Sequence, residues 1–226
     1  MPRTGYRRQL ETLSEELLRM GDVVVRRLRT ALEALDRQDH DLAWRVIDGD
    51  EDVNELYLDL ERECIDLLAL QQPVAGDLRL VVAAFKILTD LERVGDLAAN
   101  LGEHALYADR EVFSTVDVRE IGERAVEMVE DALLAFDAAD PDACLALADR
   151  DDDLDALCER ASETVVRDLI ETELPADADD EEVEFLLQDV SRLLLTIRDL
   201  ERVGDHAVNV AARTLYMVES DDALIR

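Results

Sequence analysis

Residues 90–100, Asp90-Leu91-Glu92-Arg93-Val94-Gly95-Asp96-Leu97-Ala98-Ala99-Asn100, return 109 positions later as Asp199-Leu200-Glu201-Arg202-Val203-Gly204-Asp205-His206-Ala207-Val208-Asn209, with nine of eleven residues identical. Chance does not produce a match of that length, so the chain is an internal repeat. A weaker echo sets Asp50-Glu51-Asp52-Val53-Asn54 over Asp151-Asp152-Asp153-Leu154-Asp155 at an offset of 101; a longer loop in the second half accounts for the growth to 109. Around these segments apolar residues recur at three- and four-residue spacing, and the alternating runs of a strand are missing, which makes the fold all-α. The spacing predicts six helices, at about Thr4–Asp36, Asp41–Gln72, Pro73–Ala108, Asp117–Ala138, Pro141–Glu173 and Glu181–Glu219. Pro73 suits a helix start through its fixed φ and missing N–H. Breaks fall at Phe113-Ser114-Thr115 and in the acidic loop from Pro175 to Asp180. Six helices and one repeat give two tandem, pseudo-symmetric three-helix units, residues 1–112 and 113–226.

The 24 Lys and Arg against 56 Asp and Glu leave a net charge of −32, which repels nucleic acid and anionic membrane surfaces. With 48% hydrophobic residues beneath 35% charged ones, the acid coats a folded core. Lys86 is the one lysine among those 24 cations; all the others are arginine. A weakly hydrated guanidinium in place of a compact ammonium, together with surplus carboxylate, suits concentrated salt, where at roughly 1 M the Debye length is only about 3 Å. The expected source is therefore an extreme halophile. Cys64, Cys144 and Cys158 form no CxxC or Cys/His cluster and read as reduced core thiols. The start, Met1-Pro2-Arg3-Thr4-Gly5, carries no apolar signal region, and no apolar run approaches the 18 or so residues of a membrane span. The expectation is a cytoplasmic protein that meets a membrane only through a partner.

Wound at 100° per residue, the third helix gathers Ile87, Leu91, Val94, Ala98, Leu101 and Ala105 into one stripe. Glu92, Asp96 and Asn100 fall within about 80° of one another on the other side. A glycine inside a helix costs about 1 kcal/mol relative to alanine, so Gly95, repeated as Gly204, signals a close approach by a neighbouring helix or a metal site. Carboxylates at i and i+4 with an amide at i+8 are hard oxygen donors for Mg²⁺, Mn²⁺ or iron once a second helix adds more, and the Asp50 and Asp151 echoes offer them. Acids are also so abundant that about 14 such pairs arise by chance, which leaves a solvated, salt-adapted face as the competing reading. Catalytic equipment is absent: no GxxxxGK[ST], GxGxxG or GxSxG occurs, and no histidine-rich cluster suggests a metal phosphatase. The residues three before His40, His104 and His206 are Arg37, Leu101 and Val203, so the Glu-x-x-His of di-iron oxidases is missing too.

The repeated Asp-Leu-Glu-Arg-Val-Gly-Asp, together with Gln71-Gln72-Pro73-Val74-Ala75-Gly76-Asp77-Leu78-Arg79, resembles the PhoU phosphate-signalling regulators over both halves. The resemblance implies two three-helix bundles side by side and multinuclear iron or zinc held by paired E(D)xxxD motifs, one set per bundle. Carried over position by position, it implies Glu92 and Asp96 with Asp50 for a first site, and Glu201 and Asp205 with Asp151 and Asp155 for a second. Asn54 stands where the first site wants an aspartate and brings a neutral oxygen. Asn100 and Asn209 are extra ligands or caps on the polar stripe. The Gln71–Arg79 segment has no second-half copy and reads either as a contact site for a partner or the other bundle, or as a helix-start device with Asp77 and Arg79 salt-bridging nearby. His206, in place of Leu97, reads as a lone surface histidine, with a nitrogen ligand as the other reading. The implied function is non-enzymatic negative control of phosphate uptake, through the ATPase subunit of a phosphate ABC transporter and a phosphate-sensing histidine kinase, by a chain that dimerises. The alternative is a helical metal-binding or sequestration protein in which the duplicated carboxylates are themselves the function.

Overall fold

The computed structural model describes residues 2–71, 75–107, 116–172 and 180–225. Its helices are α1 (Pro2–Arg37), α2 (His40–Asp48), α3 (Asp50–Gln71), α4 (Ala75–Tyr107), α5 (Val118–Ala138), α6 (Pro141–Glu171) and α7 (Asp180–Glu219). The fold is all-helical, as the spacing predicts. One expected boundary changes: the second helix is interrupted at Gly49, so α2 and α3 together fill its place. The Gly49 N–H still reaches the Arg45 and Ile47 carbonyls, but the ladder ends there and a new helix opens on Asp50, Glu51 and Asp52, whose charges suit a helix N-terminus. Position 150, the counterpart of Gly49, is an arginine, and α6 runs through it unbroken. Pro73, the Phe113–Thr115 break, the junction between residues 112 and 113, and residues 175–179 of the acidic loop lie outside the described residues.

The two halves turn their first corner in the same way. Gln38 and Ala139 take left-handed φ values of 51° and 49°, and the next residue, Asp39 or Asp140, caps the following helix. The Asp39 carboxylate accepts from the Asp41 and Leu42 N–H groups, and that of Asp140 from Asp142 and Ala143, with Pro141 at the helix start where its missing N–H costs nothing. Such a cap contributes about 1 kcal/mol.

In each half the outer helix, α3 or α6, packs on two inner ones, α1 with α4 or α5 with α7, and the halves meet through α4 on α7 and α1 on α5. The stripe Ile87, Leu91, Val94, Ala98, Leu101 and Ala105 is buried throughout. Leu13, Leu17 and Leu28 of α1, Ile121 and Met128 of α5, and Leu147 of α6 are buried as well, in one continuous core spanning both halves. Each large side chain buried there contributes about 1.5–3 kcal/mol. The α1–α5 contact is reciprocal: a Cβ on Gly21 would stand 2.6 Å from Leu133 Cδ1, and one on Gly122 would collide with Leu32. Both pairs are related by the 101-residue offset, and between them Arg29 Nη2 meets Glu130 Oε1 at 2.6 Å. All three cysteines are free and buried. Among the described residues no helix is long and apolar enough to cross a membrane.

Candidate functional site

The repeated glycine brings the outer helix onto the inner one in each half. A Cβ on Gly95 would stand 3.1 Å from Val53 Cγ1; one on Gly204 would stand 2.5 Å from Leu154 Cδ2 and 3.3 Å from Asp151 Oδ1. Val53 and Leu154 are counterparts in the echo, so the approach signalled by Gly95 is that of a neighbouring helix, which also carries the echo's carboxylates to the α4 and α7 stripes.

In the first half, Asp50 of α3 faces Glu92 and Asp96 of α4. Burial and then the Asp96 charge push the Glu92 carboxyl above its ordinary value, and burial and then the Asp50 charge do the same to Asp96. Arg93 partly offsets this, with its Nε 3.6 Å from Glu92 Oε2 and its Nη1 3.4 Å from Asp96 Oδ2. Asn54 Nδ2 donates to Asp50 Oδ2 at 3.3 Å. Asn100 is half-buried one turn beyond Asp96. A residue the sequence reading passed over completes this group. Arg27 of α1, with its side chain only 11% exposed, donates through Nη2 to Asp50 Oδ1 at 3.1 Å and to the Val46 carbonyl at 2.7 Å, and through Nη1 to the Gly49 carbonyl. Two of its partners are thus carbonyls at the Gly49 break. Burial lowers the Arg27 pKa and the Asp50 charge opposes that.

In the second half, Asp151 is buried while Asp155 and Asp205 are exposed. Burial, then Asp155, then Asp205 raise the Glu201 carboxyl, which places the three carboxylates in one field across α6 and α7. Cys158 lies beneath them, its thiol pushed up to about 12 by burial first and then by Glu201 and Asp155. Among the described residues no three His, Cys, Asp or Glu side chains converge closely enough to hold a metal ion.

Asn209 lies elsewhere: its Nδ2 donates to Asp90 Oδ1 at 3.3 Å, across the seam between α4 and α7. His206 joins the same carboxylate, with Nδ1 2.9 Å from Asp90 Oδ1, so it is a half-buried seam residue and not a lone surface histidine. The repeat puts Leu97 at the position of His206, so Asp199 lacks the matching partner; His104, two turns beyond Leu97, supplies one with Nε2 3.2 Å from Asp199 Oδ2. In the Gln71–Arg79 segment, residues 72–74 lie outside the described residues. Arg79 Nε reaches the Met217 carbonyl at 3.4 Å, so this end of the segment contacts the other bundle.

Comparison with known proteins gives this geometry a family. The PhoU domain matches the chain twice, over residues 17–105 and 118–214. This chain belongs to the PhoU family. The phosphate-specific transport system accessory protein PhoU homolog of Pseudomonas putida is 35% identical over 226 residues, covering 96% of this chain and 82% of that protein. The crystal structure of PhoU from Pseudomonas aeruginosa superposes with a TM-score of 0.85 at 32% identity, over 96% of this chain and 100% of that one. The phosphate transport system regulatory protein PhoU from Streptococcus pneumoniae shares the fold, with a TM-score of 0.86 at 24% identity over 96% and 98% of the two chains. PhoU proteins are accessory and regulatory, not enzymes. Each matched range contains one copy of the repeated segment, residues 90–100 or 199–209.

Proposed function

We propose that this PhoU-family chain is a cytoplasmic negative regulator of phosphate uptake that acts by protein contact on the ATPase subunit of a phosphate ABC transporter, and on a phosphate-sensing histidine kinase. The observation that carries the reading is the double PhoU domain match, which spans both halves of the repeat. A surface formed by both bundles, on a chain that dimerises, fits an adaptor. The surplus of 56 acidic over 24 basic residues suits work in concentrated salt and directs the chain to basic partner surfaces.

Metal ions belong to the same reading, and the donor sets fit them unequally. Asp151, Asp155, Glu201 and Asp205 are hard oxygen donors, and the crowding that raises Glu201 is what a cation relieves. An all-oxygen set of this kind favours Mg²⁺, Mn²⁺ or iron over zinc, which more often takes nitrogen and sulfur. A bound ion would supply positive charge between α6 and α7. The first set, with Asn54 and Arg27, fits poorly.

The test is co-purification of the tagged protein from its host in phosphate-rich and phosphate-starved cells, lysed in multi-molar KCl. Recovery of a phosphate-transporter ATPase that varies with phosphate supply is the expected result. Recovery of the protein alone under both conditions would overturn the reading and favour the sequestration alternative.

A further inference from the structure

The two carboxylate groups are copies of one design, and they differ where the first helices of the halves reach them. Gly21 and Gly122, Leu32 and Leu133, and Asp39 and Asp140 are matched at an offset of 101, and the glycines and leucines pack reciprocally, which fixes the alignment of α1 on α5. That alignment sets Arg27 opposite Met128. Met128 occupies the corresponding place, with its Cε 3.6 Å from where a Gly204 Cβ would stand, beside Asp151 Oδ1. A thioether therefore stands in the second half where a guanidinium stands in the first. The adjacent positions change in the same sense, since Asn54 replaces the Asp155 carboxylate with an amide that donates to Asp50. In the second half Arg150, at the position of Gly49, turns to Asp131 and Glu127 of α5, and Arg198 opposes the crowding at Glu201 from α7 itself. Arg93 faces Glu92 and Asp96, whereas its repeat partner Arg202 is 3.6 Å from Asp199 in the seam.

We infer that Arg27 is the built-in cation of the first half, holding Asp50 in the place a metal ion would take, so that this chain's first carboxylate group binds no metal. The inference rests on the carboxylate-site reading above and narrows it to the second half. Arg27 cannot yield Asp50 cheaply. Its guanidinium is nearly buried and tied to the Val46 and Gly49 carbonyls, so an incoming dication would meet a fixed positive charge and would take from it the carboxylate to which it is hydrogen-bonded. Arg27 donates to both carbonyls beside the Gly49 break, which makes the arginine, the broken helix and the amide at Asn54 parts of one arrangement.

The experiment counts Mn²⁺ bound per full-length chain, from the electron paramagnetic resonance signal of the free ion. Glu92→Gln with Asp96→Asn should leave the wild-type stoichiometry unchanged. Arg27→Met with Asn54→Asp, which copies the second half onto the first, should gain about one ion per chain, and adding Glu92→Gln and Asp96→Asn should remove it. A drop in stoichiometry on Glu92→Gln with Asp96→Asn in the otherwise wild-type chain would overturn the inference. So would the absence of any gain in an Arg27→Met, Asn54→Asp protein that keeps its helical circular dichroism and cooperative melting. Should that variant fold poorly, the Glu92→Gln, Asp96→Asn comparison decides alone. Transporter co-purification does not enter these counts, so the regulatory reading and this inference fail separately.

Discussion

Alanine at the two repeated glycines should have different consequences, although the surrounding sequence is nearly identical. At Gly204 the new methyl would stand 2.5 Å from Leu154 Cδ2, and Leu154 is 1% exposed. Ordinary carbon contacts lie at about 3.5–4.0 Å, so a side chain with no free space must retreat by about 1 Å. Overpacking of that kind costs about 1–3 kcal/mol, against about 1 kcal/mol recovered from helix propensity, for a net loss of about 1 kcal/mol. At Gly95 the methyl would stand 3.1 Å from Val53 Cγ1, which needs a shift of only a few tenths of an ångström. There the cost of that small shift offsets the propensity gain and the net change is close to zero. At about 2–4 °C per kcal/mol for a chain of this size, Gly204→Ala should melt roughly 2–4 °C below Gly95→Ala. The assay is thermal unfolding by circular dichroism at 222 nm in multi-molar KCl. Leu154→Val, which installs the first half's pairing, should recover part of the loss when combined with Gly204→Ala, giving a coupling of about 1 kcal/mol. Equal melting of the two alanine variants, or a higher melting temperature for Gly204→Ala, would refute this account of how each outer helix is seated.

Ala139 holds a left-handed φ of 49° that glycine adopts without penalty, so Ala139→Gly should gain about 0.5–1 kcal/mol and raise the melting temperature by about 1–4 °C. The Glu201 carboxyl is raised above its ordinary 4.5, so the folded chain holds its proton over a window where the unfolded chain has lost it. The stabilising contribution of protonation there is complete below the ordinary value and is lost as pH rises through the raised one. Glu201→Gln should accordingly melt higher than wild type at pH 7.5, with the advantage shrinking as the pH is lowered through that window; a constant difference across the titration would count against it. Dialysis from multi-molar to 0.1 M KCl should lower the helical signal or the melting temperature, since the net charge of −32 is then screened over about 10 Å instead of about 3 Å. A fold and melting temperature unchanged by dialysis would remove salt adaptation from the reading.

Much of the fold is legible because helical periodicity and the repeat agree. The Ile87-to-Ala105 stripe is buried residue for residue, and Pro141 opens its helix as its geometry suggests. The interruption at Gly49 is harder to read, because the apolar rhythm continues across it: Val46 and Val53 are both buried and seven residues apart, so only the glycine marks the place. Arg27 is hidden for a different reason. It lies on α1, outside the repeated motif, as one of 24 cations, and only the alignment of α1 with α5 through Gly21 and Gly122 exposes its contrast with Met128. The substitution of His206 for Leu97 is visible in the repeat, but its partner Asp90 is 116 positions away in sequence, so its pairing depends on how the halves dock.

The contact between Arg29 and Glu130 concerns the origin of the two-part chain. These residues are counterparts at the 101-residue offset, so each half meets the other at the same position of its own helix. Two identical half-length chains joined in that way would set residue 29 against its own copy, with like charges facing each other whichever sign it carried. With both copies on one polypeptide the two sides are free to differ, and here they carry opposite charges. The same freedom permits a histidine on one side and a leucine on the other at 206 and 97, and a guanidinium on one side and a thioether on the other at 27 and 128. Covalent linkage has thus released the halves from having to be the same, and this chain has used that release at its centre as well as at its carboxylates.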